Sequence, residues 1–217
     1  MGGNENNETE GKSPEELLDR AYHLEDSESA KRLYRDWAKT YDAHLEHGLG
    51  YTLPETVTGH FAEVVSDKSV RVLDVGCGTG LTGQGLVKHG FSNLDGLDFS
   101  AEMLAEARRK EIYNELIEAD LTGPLAIEGD TYGAVISTGT FTEGHVGAEA
   151  FDEIFRIIVP GGWFVTSINA HIWEDGGFGP KIFELSLKDV MRLTEKFSTE
   201  AFVSGDDNLL VCVFEKC

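Results

Sequence analysis

The stretch VRVLDVGCGTGLTG, Val70 to Gly83, decides how the chain folds. It opens with a short apolar run, Val70 to Val75, that reads as a strand, and continues into a glycine-rich turn and a helix. The glycines can be parsed twice. Counted from Gly78 they spell G-x-G-x-x-G (Gly78, Gly80, Gly83), the turn that cradles a dinucleotide pyrophosphate. Counted from Gly76 they spell D-x-G-x-G-x-G, with Asp74 as the leading residue. Both parses bring backbone close to a ligand at the carboxyl edge of an open α/β sheet, so spacing alone does not separate them.

Charge separates them. A carboxylate at Asp74 would face a pyrophosphate with like charge, a repulsion on the order of 4 kcal/mol at about 4 Å and an effective dielectric near 20, before screening. A ligand with an ammonium group would be attracted instead. S-adenosylmethionine carries an ammonium and a sulfonium and no phosphate. Gly76 also follows the strand directly, whereas the dinucleotide parse starts two residues late. Asp98, at the end of the second strand, can accept from both ribose hydroxyls of either cofactor. Asp120, after the third strand, can accept from an adenine amino group, with Leu121 and Met103 as apolar neighbours of the ring.

Outward from this stretch, short apolar runs alternate with helical spacing, the pattern of βαβ units in a parallel sheet. Strands are expected at 70–75, 93–98, 113–118, 132–138 and 162–168, with helices at 82–89, 101–110 (capped by Ser100) and 147–158. A helix is expected at 186–195, followed by strands at 197–203 and 209–215 joined by Gly205-Asp206-Asp207-Asn208. That short connection makes a hairpin, so the last strand should run antiparallel. The insertion His171 to Phe183 reads as a flexible substrate loop. Upstream, residues 1–13 are polar and expected to be disordered. Residues 14–66 form a helical cap or lid, and 67–217 the ligand-binding domain. Ser13-Pro14-Glu15-Glu16 is a helix start, and Leu33, Tyr34, Trp37, Ala38, Tyr41 and Leu45 recur on one helix face.

The 217 residues suit one α/β domain with a small appendage. With 39 acidic against 18 basic side chains the net charge is -21, which repels a phosphate backbone and argues against a nucleic-acid partner. Cys77, Cys212 and Cys217 are odd in number and lack metal-ligand spacing, so neither a disulfide framework nor a metal site is expected. No apolar run is long enough to span a bilayer. The expected setting is cytoplasmic, and the expected assembly a monomer or weak homodimer.

The segments VLDVGCGTG, LDGLDFSAEMLAEARRK and EADL resemble the first three motifs of class I S-adenosylmethionine-dependent methyltransferases. LYRDWAKTYDAHL with VISTGTFTEGHVG is similar, more narrowly, to the methyltransferase-like 27 proteins. The likeness implies a Rossmann-like seven-stranded sheet of order 3-2-1-4-5-7-6, its last strand antiparallel, with S-adenosylmethionine as cofactor. By the same likeness Asp74, Gly76, Gly78 and Gly80 line the methionine part, Asp98 holds the ribose, and Asp120 and Leu121 hold the adenine. Cys77, Phe99, Met103 and Thr138 are further expected cofactor-binding residues. Tyr34, Trp37 and Tyr41 form either a lid over the sulfonium or simple core packing.

Methyl transfer needs positioning and exclusion of water more than a protein nucleophile, so Cys77 reads as a small loop residue. The polar segment Ser137 to His145 is the expected floor of a small-molecule acceptor pocket. His145 is one candidate base, with Glu143 orienting it, and His171 after strand five is the other. Competing readings are an S-adenosylmethionine-binding sensor without catalysis and a nicotinamide-dependent oxidoreductase. Asp74 and the lack of a Tyr-x-x-x-Lys pair after strand four disfavour the latter.

Overall fold

The computed structural model describes residues 9–24, 27–143, 146–205 and 208–217. The chain begins with α1 (Pro14–Tyr22), α2 (Ser27–Asp42), a π-helical turn (Ala43–Leu49) and α3 (Leu53–Val64). The sheet region follows as β1 (Val72–Val75), α4 (Leu81–Lys88), β2 (Leu94–Asp98), α5 (Ala101–Arg109), β3 (Glu115–Glu118), β4 (Tyr132–Phe141), α6 (Ala150–Ile157) and β5 (Ile158–Asn169). It closes with α7 (Ile172–Asp175), α8 (Phe178–Leu187), β6 (Met191–Thr199) and β7 (Leu209–Lys216). The seven strands lie in the order β3-β2-β1-β4-β5-β7-β6. β7 is antiparallel to both neighbours, as the short hairpin connection requires.

Alternation along the strands sorts the core into two layers. Val72, Ala134, Ile136, Val165, Val211 and Val213 face α1 to α4, while Leu73, Val75, Val135, Phe164, Cys212 and Phe214 face α6 and α8. Leu17, Leu33, Trp37, Val57 and Phe61 of the N-terminal helices belong to the first layer. The cap and the sheet therefore share one apolar core. Helix starts follow local chemistry: Glu16 N–H donates to Ser13 Oγ at 3.2 Å while Ser13 N–H donates to Glu16 Oε2 at 2.8 Å, and Ser100 Oγ accepts from Met103 N–H to cap α5.

Four expectations are corrected. Residues 1–8 of the expected disordered tail lie outside the described residues, but Thr9 to Lys12 form a turn, and the Thr9 hydroxyl donates to the Asp36 carbonyl of α2. The expected loop at 171–183 is instead α7 and the first part of α8. The expected helix at 186–195 is the end of α8 followed by β6, because Gly177 (φ 75) starts the helix early and Asp189 (φ 53) turns the chain after it. Residues 138–141, expected in a loop, continue β4.

Candidate active site

Gly76, Gly78 and Gly80 have φ of 68, 52 and 95, the left-handed region that glycine reaches without steric cost. Gly83 lies inside α4 in ordinary helical backbone. Backbone geometry thus selects the parse that begins at Asp74. The turn is pinned to β2: Gly76 and Cys77 N–H donate to the Leu97 carbonyl at 2.7 and 3.0 Å, and Gly78 N–H donates to Asp98 Oδ2 at 2.8 Å. Asp98 Oδ1 accepts from Ser100 N–H at 2.9 Å.

Asp74 lies beneath the turn, 1% exposed. Its Oδ2 accepts from the Tyr113 hydroxyl at 2.6 Å, while Oδ1 is buried without a hydrogen-bond partner. Burial pushes this carboxyl up to about 7; the Tyr113 bond pulls it down and the neighbouring Asp98 charge pushes it further up. Burial likewise raises Asp98 to about 6, against the pull of the Ser100 and Gly78 N–H groups.

Above the turn a cleft opens at the carboxyl ends of β1, β2 and β4. Of the expected ligand residues, Tyr34, Tyr41, Gly76, Gly78, Asp98, Phe99, Met103, Asp120, Leu121 and Thr138 line it. Asp74, Cys77, Gly80 and Trp37 do not. Asp74 and Cys77 are buried below the turn, Gly80 caps α4, and Trp37 is packed in the core of the cap. No lysine or arginine lines the cleft among the described residues, and its acidic side chains are Asp98 and Asp120. That lining matches a cationic ligand and opposes a pyrophosphate. The Thr138 hydroxyl, also on its wall, is a second buried polar atom without a partner. At the far end Asp120 Oδ1 accepts from Thr122 N–H and Oγ1 at 2.9 and 2.7 Å; burial raises its carboxyl, but these bonds and the Lys31 charge bring it below its ordinary value.

The cap closes one side. Tyr34 stands edge-on to Phe99 and to Tyr41, with centroids 6.2 Å apart in each pair. Burial pushes both phenols well above their ordinary value, so they present neutral hydroxyls. Behind them a second, smaller, apolar chamber is lined by Tyr22, Trp37, Tyr51, Thr142 and Phe202 among others. Tyr34, Tyr41 and Gly139 border both cavities.

The candidate bases are spread apart. His171 is exposed at the start of α7 and is not part of either lining. Glu143 is exposed, and His145 lies outside the described residues. Their sequence neighbours are informative, since Thr142 lines the inner chamber and Val146 lines the cleft.

Residues 72–162, from β1 into β5, match the family described as a methyltransferase domain. Over this stretch the chain is similar to class I S-adenosylmethionine-dependent methyltransferases. Its match to human methyltransferase-like protein 27 is 31% identical over 145 residues, covering 65% of this chain and 58% of that protein. A bovine 18S rRNA (guanine-N(7))-methyltransferase is 37% identical over 84 residues, 37% of this chain and 30% of the other. The chain thus spans little more than half of the first relative and less than a third of the second. The fold is also that of the methyltransferase solved with the Trm112 activator of Haloferax volcanii, with a TM-score of 0.66, 19% identity and coverage of 84% of this chain and 97% of the other.

Several residues of the domain's site escaped the sequence reading. Ala30 lines the cleft one helical turn before Tyr34, a spacing that was there to be read. Thr140, expected on the floor of the acceptor pocket, lines the cleft instead and donates to the Val75 carbonyl at 3.2 Å. Tyr113 and Asp42 reach the glycine turn from distant sequence, and nothing local signals either contact.

Proposed function

We propose that the protein transfers a methyl group from S-adenosylmethionine to an oxygen or nitrogen of a small-molecule acceptor bound in the inner chamber. The observation that carries this reading is the shared border of the two cavities at Tyr34, Tyr41 and Gly139. Bound in the cleft, the cofactor supplies an electrophilic methyl group on a sulfonium. Asp98 would accept from the ribose hydroxyls, Met103 and Leu121 would flank the adenine, and Asp120 would receive its amino group. The Gly76–Gly80 turn with Asp74 beneath it would hold the methionine end, and the Tyr34 and Tyr41 rings would cover the sulfonium and exclude water. The acceptor's bulk would rest against Trp37, Tyr51 and Phe202. Where the acceptor loses a proton, His145 and His171 are the candidate bases, and His171 is exposed and part of neither lining. The net charge of -21 favours a small molecule over RNA.

Calorimetry with S-adenosylmethionine, its demethylated product and NADH tests the cofactor. Tight NADH binding without heat from S-adenosylmethionine would overturn it. Incubation with methyl-labelled cofactor and either a small-metabolite fraction or total RNA tests the acceptor. Label in the metabolite fraction is the expected result, and label in RNA sinks the small-molecule reading. Cofactor binding with no label in any fraction would point to a sensor.

A further inference from the structure

Tyr113 lies just before β3, and its hydroxyl reaches Asp74 Oδ2 by crossing α4 at Gly83. A Cβ on Gly83 would meet that hydroxyl and stand 2.5 Å from the ring Cζ, and one on Gly80 would stand 3.1 Å from Cε2. Gly83 has no positive φ to explain it. Its missing side chain is the passage that Tyr113 uses, so the glycine that mimicked a dinucleotide signature has a different cause.

We propose that Tyr113 is a positioning residue for cofactor binding, which acts through Asp74 by holding its carboxyl group fixed beneath the Gly76–Gly80 turn. The proposal rests on the reading of the cleft as the S-adenosylmethionine site. Tyr113 supplies a hydrogen bond to Oδ2, whereas Oδ1 is buried and has none. The other ionisable groups around Asp74 are Asp98 at the end of β2 and Cys77 in the turn, with Lys110 past the end of α5 acting on Cys77. Asp98 opposes ionisation of Asp74, and burial opposes it most. Hydrogen bonds to the charged form, from the Tyr113 hydroxyl first and the Gly83 N–H after it, are what favour the carboxylate. Loss of the Tyr113 bond would shift Asp74 further toward its protonated form and weaken the negative charge nearest the cationic end of the cofactor.

The test is Tyr113→Phe, which keeps the ring and removes the hydroxyl, studied by calorimetric binding of S-adenosylmethionine and its demethylated product from pH 6 to 8.5. Affinity should fall about tenfold at pH 7.5, and the midpoint of its rise with pH should move to higher pH. Asp74→Asn should flatten the pH profile, and adding Tyr113→Phe to it should change little further. Gly83→Ala, which displaces the hydroxyl, should shift the profile in the same direction, and melting curves show whether each variant is folded. Wild-type affinity and an unmoved profile in Tyr113→Phe would overturn the proposal. So would an equal loss in the Asp74→Asn background, since that marks packing alone. Absence of cofactor binding by the wild-type protein would instead overturn the reading of the cleft.

Discussion

The Asp42 carboxylate at the end of α2 lies 2.7 Å from the Lys110 ammonium past the end of α5, and its other oxygen accepts from the Thr79 hydroxyl of the glycine turn. Lys110 also donates to Gln84 of α4 at 2.9 Å. One carboxylate thus ties the cap to the glycine turn and to the end of α5. The Lys110 side chain is 16% exposed and Asp42 33%, so solvent screens the pair only in part.

Asp42→Ala should therefore loosen the cap more than it unfolds the sheet. The expected stability loss is about 1–2 kcal/mol. The sharper consequence is early cleavage within α1 and α2 under limited proteolysis, with weaker cofactor binding. A proteolysis pattern identical to wild type would show that the latch does not hold the cap.

The buried carboxylates give the ligand-free protein a pH signature. Asp74 and Asp98 have ordinary values of 3.8, raised to about 7 and about 6 in the folded chain. The folded state therefore binds their protons more tightly than the unfolded state. Their contribution to stability is full below about pH 4 and is lost as pH rises toward 7, on the order of a few kcal/mol for the two together. The net charge of -21 adds self-repulsion over the same range, so the difference between proteins is the measurement. Asp74→Asn should show a smaller fall in melting temperature between pH 4 and 7 than wild type. Parallel curves would mean that Asp74 ionises normally.

What the sequence disclosed and what it concealed divide by range of interaction. The glycine turn, the Ser13 and Ser100 caps and the antiparallel last strand follow from residues close to one another, and each was legible. The error at α8 was local as well. Gly176, Gly177, Gly179 and Pro180 look like a loop, yet a left-handed Gly177 can precede a helix and Pro180 is tolerated in its first turn. Phe178, Ile182 and Leu185 are buried at helical spacing on the core side, and Phe178 stands 5.6 Å from Phe141, bracing the end of β4. The contacts Tyr113–Asp74, Asp42–Lys110 and Tyr51–Phe202 join residues far apart in the chain, and only the fold brings them together.

The aromatic face of α2 divides into two roles that mutation should separate. Trp37 is 1% exposed, donates to His44 Nδ1 at 3.0 Å and packs in the core. Trp37→Ala should cost about 3–5 kcal/mol, read as a drop in melting temperature with or without cofactor. Tyr34 lines the cleft beside Phe99. Tyr34→Ala should cost less stability but reduce the melting-temperature gain produced by added cofactor. If the two variants lost the same cofactor-induced gain, the division would not hold.

Gly139 is the strictest test of the path between the cavities. Its φ is 74, and a Cβ there would stand 2.9 Å from the Tyr51 hydroxyl. The added methyl group would strain the backbone and fill the border between cleft and chamber. Gly139→Ala should keep cofactor affinity within a fewfold of wild type, because Asp98, Met103 and Asp120 are untouched. Methyl transfer should fall by on the order of 100-fold, as a displacement of about 1 Å is enough to spoil an in-line attack. Undiminished turnover with the label still in a small molecule would show that the acceptor reaches the methyl group by another route.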